Sequence, residues 1–195
     1  DNIAGYPAPP KPDTGFIRSA LADGLKLEQR LGVNPYQFGI IASTDSHTSL
    51  ATADSDNFYG KHAAVEPSAK RASSTHRSGP VAELMGWEQV ASGYAAVWAK
   101  ENTRAALFDA MQRKETYGTT GPRMTVRFFA GWDFKQDDLN ASDVANVGYT
   151  KGVPMGGSLA ATTDKKAPSF LVAASKDPMG ANLDRIQIVK GWQDA

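Results

Sequence analysis

Asp45 and His47 are the residues in this chain whose types and spacing best suit chemistry. They lie two apart in Ser43-Thr44-Asp45-Ser46-His47-Thr48. In extended backbone, residues i and i+2 point the same way, so a carboxylate and an imidazole converge on one point. Carboxylate oxygen with imidazole nitrogen suits Zn, Mn or Fe. A catalytic zinc keeps three protein ligands, so the pair is part of a site and its partners must come from elsewhere. The only other imidazoles are His62 and His76. The same triplet has a plainer use, with the aspartate capping a turn and the histidine at the surface. In Asn57-Phe58-Tyr59-Gly60-Lys61-His62, Lys61 or His62 can bind an anionic group, and His62 can complete a metal shell or be an ordinary loop histidine. His76 sits in a serine-rich stretch and is read as surface-exposed.

Other chemistries lack their residues. Without cysteine, disulfides and thiolate metal sites are excluded, and a metal must be held by His, Asp or Glu. A serine hydrolase needs a Gly-x-Ser-x-Gly elbow, and none occurs. Gly118-Thr119-Thr120-Gly121 is too short and wrongly followed for a phosphate loop. The four tryptophans, at 87, 98, 132 and 192, are scattered and suit packing, although Trp98 is placed to line a pocket.

The elements that must position these groups follow from the apolar pattern. Tyr6-Pro7-Ala8-Pro9-Pro10-Lys11-Pro12 reads as an extended arm, because prolines lack the amide donor. Asp13 or Thr14 caps a helix to about Leu31, with Ile17, Leu21, Leu25 and Ala20, Leu27, Leu31 at helical spacing and Gly32 as a stop. Phe38-Gly39-Ile40-Ile41-Ala42 reads as a strand buried on both faces, ending at the Asp45 loop, where α/β folds build their sites. Periodicity fades from about Ser49 to Ser92, and Glu66 to Pro80 reads as a long loop. A helix starts at Asn102 or Thr103, with Ala106, Leu107, Ala110 and Met111 on its apolar face. From Gly121 the period changes to two. Met124, Val126 and Phe128 alternate with Thr125 and Arg127, and Phe170-Leu171-Val172-Ala173-Ala174 and Ile186-Gln187-Ile188-Val189 are further strands. The joining segments read as turns with no helical stretch, so this half reads as antiparallel and sandwich-like. The expected division is residues 1–121 and 122–195.

Composition narrows the partners. The 195 residues carry 21 Lys plus Arg and 21 Asp plus Glu, so no basic field exists for nucleic acid or a membrane surface. No apolar run approaches the roughly 18 to 20 residues of a membrane span.

Several stretches together resemble one uncharacterised bacterial family, the domain of unknown function 3604. They are Ser43 to Thr48, Phe58-Tyr59-Gly60-Lys61-His62, Val65-Glu66-Pro67, Glu101-Asn102-Thr103-Arg104, Thr116 to Arg123, and Phe128-Phe129-Ala130-Gly131-Trp132. That family is similar to the PHP (polymerase and histidinol phosphatase) superfamily of metal-dependent phosphoesterases. The resemblance implies an α/β fold, the C-terminal part of a distorted β/α barrel, followed by the antiparallel segment. It implies two or three divalent ions, with Asp45 and His47 as the ligands of the last motif. It implies hydrolysis of a small anionic ester by metal-activated water, with Lys61, His62 or Arg71 steadying the anion. The superfamily's early His-x-His pair does not occur here. A C-terminal piece is therefore expected, with the missing N-terminal part of the same protein as its partner and no activity alone. Relatives suggest the periplasm or export; the cytoplasm is the other possibility. The competing reading, from a different class, is a non-catalytic module whose β half binds carbohydrate or a protein through Trp132, Tyr149 and Trp192.

Overall fold

The structure is a computed structural model that describes residues 16–47, 53–54, 57–61, 69–77, 83–89, 93–163 and 166–194. The chain divides into two compact units. One comprises Asp1–Gln37, Ser43–Gly93 and Gln187–Ala195; the other comprises Phe38–Ala42 and Tyr94–Ile186.

In the first unit, helix α1 spans Ile17–Leu31. The expected caps Asp13 and Thr14 lie outside the described residues. The N-cap position is Phe16, with no side-chain hydrogen bond. Gly32 ends the helix as expected: its φ of 74° is left-handed and its N–H reaches the Glu28 carbonyl at 2.8 Å, the geometry that favours glycine after a helix. Gly24 is the buried residue of α1; a Cβ there would strike the Asn34 side chain, so its absence lets the 34–36 turn fold back onto the helix. Two short antiparallel pairs follow, β1 (Ala53–Asp54) with β2 (Asn57–Phe58), and β3 (Thr75–Arg77) with β4 (Glu83–Met85). The stretch expected to be one long loop thus contains a paired strand.

In the second unit, β5 (Tyr94–Val97) pairs antiparallel with β6 (Thr116–Thr119), and helix α2 (Arg104–Gln112) connects them. Thr103 caps α2 by accepting from the Ala106 amide, one of the two caps expected. Strand β7 (Thr125–Gly131) is the centre of a three-stranded antiparallel sheet in the order β8-β7-β9, with β8 at Gly152–Pro154 and β9 at Ser169–Ser175. Helix α3 (Val144–Lys151) lies between β7 and β8 in sequence. It packs on β7, and a Cβ on Gly148 would run into the Phe129 ring. The core of this unit is Ala110, Phe129 and Leu171. Phe129 and Leu171 face each other in register, and Phe129 is only 2% exposed.

Several expectations are corrected. The fold is mixed α/β with small antiparallel sheets, and no closed barrel forms among the described residues. The β half is antiparallel as expected, but α3, rather than a second sheet, packs against β7. Eight residues with Gly148 and Thr150 carry little helical signal, yet Asp143 caps them by accepting from the Asn146 amide at 3.0 Å. The buried parity of β7 is also the other one. Phe129 lies on the α3 side with Arg127, while Phe128 stacks on Phe170 at 5.3 Å. Period two cannot choose a face when Phe128 and Phe129 are adjacent. Neither Phe38–Ala42 nor Ile186–Val189 is a strand, and Phe38, Ile40, Ile41, Ile186, Ile188 and Val189 are exposed. An apolar run becomes a strand only where a neighbour completes its ladder.

Candidate functional site

Asp45 sits in a turn assembled from its own neighbours. The Ser43 hydroxyl accepts from the Asp45 amide at 3.4 Å, and the Thr44 hydroxyl from the Ser46 amide at 3.3 Å. Short hydroxyl side chains bend the backbone in this way. Asp45 has a left-handed φ of 57°, which aspartate tolerates better than most residues but still at a cost of about 1 kcal/mol. Two contacts hold it there. The Lys61 ammonium pairs with the Asp45 carboxylate, and the His47 ring places Nδ1 2.9 Å from the Asp45 carbonyl. A carbonyl can only accept, so Nδ1 carries the proton in this contact.

The segment 59–61 builds the other wall. Gly60 is buried, with a left-handed φ of 85°, and its carbonyl accepts from Ser46 Oγ at 3.3 Å. The Lys61 carbonyl accepts from the His47 amide at 2.8 Å. Arg71 lies with its guanidinium 3.7 Å over the Tyr59 ring, fixing a second cation beside the segment that carries Lys61. Asp45, His47, Lys61 and Arg71 are therefore joined through residues 59–61. His62 lies outside the described residues, and the side chain of His76 does too. Among the described residues no three His, Asp or Glu side chains come together as a metal cluster. Asp45 and His47 carry donor types that suit a divalent metal, but the extended backbone expected to align them is interrupted by the left-handed Asp45. Its carboxylate is paired with Lys61, and its main-chain carbonyl, not its carboxylate, meets the His47 ring.

A second constellation lies in the other unit, and of its residues the sequence marks only Trp98 and Tyr149, each for a different site. A cleft of about 560 Å³ is lined by Trp98, Lys100, Arg113, Glu115, Arg127 and Tyr149, among others. The Glu115 side chain, 4% exposed, accepts from Arg113 through Oε2 at 2.9 Å and from the Tyr149 hydroxyl through Oε1 at 2.9 Å. Tyr149 in turn accepts from Arg127 Nη1 at 3.2 Å. The Arg127 guanidinium stacks 3.6 Å above Trp98, whose ring N–H is tied to the Val126 carbonyl at 2.9 Å. Burial first, and then the hydrogen bond to Glu115, push the Tyr149 hydroxyl above its ordinary value. It therefore stays protonated at neutral pH and donates to the carboxylate. The sequence signal was a charged residue inside an aromatic strand, Arg127 beside Phe128 and Phe129, but nothing local linked it to Glu115 or Tyr149. Of the aromatics expected to form a binding face, Tyr149 belongs to this cleft, Trp132 donates its ring N–H to the Ala160 carbonyl at 3.2 Å, and Trp192 belongs to the other unit.

Fold and side chains together define a mixed α/β protein with small antiparallel sheets and two clusters of charged groups. Residues 4–195 match the family described as Protein of unknown function (DUF3604), and the chain belongs to that family. Neither the curated proteins nor the solved structures provide a match.

Proposed function

We propose that this chain contributes the closing metal motif of a divalent-metal-dependent hydrolase of PHP-like type. Asp45 and His47 are its ligands for Zn, Mn or Fe, and a small anionic ester, by default a phosphate ester, is its substrate. The observation that carries the reading is His47 Nδ1 anchored on the Asp45 carbonyl, the kind of ring anchoring by which ligating histidines are oriented. A second support is the left-handed Asp45: backbone strain kept in place by surrounding contacts is common at sites of chemistry.

A bound metal would bring a coordinated water toward a pKa of about 7 and stabilise charge on the leaving oxygen. The protein's own part is positional. His47 is held by its ring and by its amide on the Lys61 carbonyl, which limits the reorganisation needed on binding. Lys61 balances the Asp45 carboxylate, and with Arg71, and with His62 in the adjoining sequence, it supplies positive charge for an anionic group. Further ligands come from the upstream part of the protein, and export to the periplasm is part of the same proposal.

Calorimetric titration with Mn²⁺ or Zn²⁺, on the chain and on a form extended upstream, tests this. Asp45→Ala and His47→Ala should each weaken binding at least about tenfold, and the extended form should bind stoichiometric metal. Equal affinity in wild type and both variants would remove the assignment.

A further inference from the structure

The charges around the Trp98 cleft do not balance. Three cations line it, Lys100, Arg113 and Arg127, against one carboxylate, Glu115. Glu115 is spent on Arg113 and Tyr149. Arg127 and Lys100 have no carboxylate within ion-pair distance among the described residues. A guanidinium carries five N–H donors, and among the described residues Arg127 donates from Nη1 alone, to Tyr149.

Arg127 is also held still. One face lies on Trp98, Trp98 is tied to the β7 backbone, and the Tyr149 hydroxyl, which must donate to Glu115, turns its lone pair to Nη1. Holding an arginine fork in advance removes the entropy cost of ordering it when an anion arrives. Arg113 is the internal contrast, since it has its carboxylate already. A cation fixed in this way, left uncompensated at a half-buried position and facing an open cleft, is built to receive an oxyanion.

We propose that this cleft binds the oxyanion group, phosphate or carboxylate, of a small molecule, with Arg127 as the fork and Lys100 as the second cation. The site rests on residues of the second unit alone and does not depend on the metal reading.

The test is titration of the full 195-residue chain with inorganic phosphate and, separately, with acetate. It is run at constant ionic strength and with a chelator present, so that a metal site contributes nothing. Binding is followed by calorimetry and by Trp emission, with Trp98→Phe identifying the reporting ring. Saturable one-to-one binding is expected, and the anion that binds more tightly identifies the ligand's end group. Arg127→Lys keeps the charge but loses the fork and should weaken binding at least about tenfold. Lys100→Gln, at an exposed position, should weaken it several-fold without disturbing the fold. No saturable binding of either anion overturns the proposal. So does wild-type affinity in the Lys100 variant, which remains decisive if the Arg127 variant fails to fold.

Discussion

Two five-residue runs of this chain look alike and end differently. Phe38-Gly39-Ile40-Ile41-Ala42 and Phe170-Leu171-Val172-Ala173-Ala174 are both apolar and uncharged, and both belong to the second unit. The second run is the heart of β9, laddered to β7 from Ser169 to Ser175, with Leu171 3% exposed against Phe129. The first is not a strand, and Ile41 is 63% exposed. It nevertheless lies against β6, where a Cβ on Gly118 would meet the Ala42 nitrogen and Cβ at 2.8 Å. The two runs differ little in hydrophobicity. What separates them is a partner in register: β7 offers β9 matching donors and acceptors along its whole length, whereas the 38–42 segment meets β6 by close approach without a ladder.

Three substitutions test that contrast. The largest effect is expected from Leu171→Ala, which should cost about 2–5 kcal/mol in denaturant unfolding, because the cavity opens against the Phe129 ring. A loss below about 1 kcal/mol would mean that the β7-β9 face is not the core. Gly118→Ala comes next. Elsewhere in a strand, alanine for glycine gains something like 0.5–1 kcal/mol. Here the new methyl meets backbone atoms of Ala42 and Ile41, so a net cost of about 1–3 kcal/mol is expected. A neutral or stabilising result would show that 38–42 does not lie on β6 in solution. Ile41→Ala should matter least, under about 1 kcal/mol, since most of the side chain is already in water. A loss matching that of Leu171→Ala would show that the run is buried after all.

The two charged clusters repeat the lesson at the level of function. Asp45 and His47 stand two apart in sequence and remain joined in space, because the His47 ring needs only its neighbour's carbonyl. Lys61 and Arg71 were singled out by loop position, but their attachment to Asp45 and to Tyr59 was not visible before folding. The Arg127 cluster assembles Trp98, Glu115, Arg127 and Tyr149 from two strand ends, a strand and a helix. Tyr149 sits on α3, the helix that the sequence pattern hid. Once that helix is missed, neither the buried face of β7 nor the partner of Glu115 can be found.

By itself, the sequence determined what depends on near neighbours. The Gly32 stop needed only a left-handed residue after α1, and the Thr103 cap only an amide three residues on. The tertiary structure decided everything that needed a distant partner: which apolar run found a ladder, that α3 packs against β7, and where Trp98, Glu115 and Tyr149 gather around Arg127. The physical reason is that caps and turns satisfy backbone groups within a few residues, whereas ladders, buried faces and charge networks are completed by groups that only chain folding brings within reach.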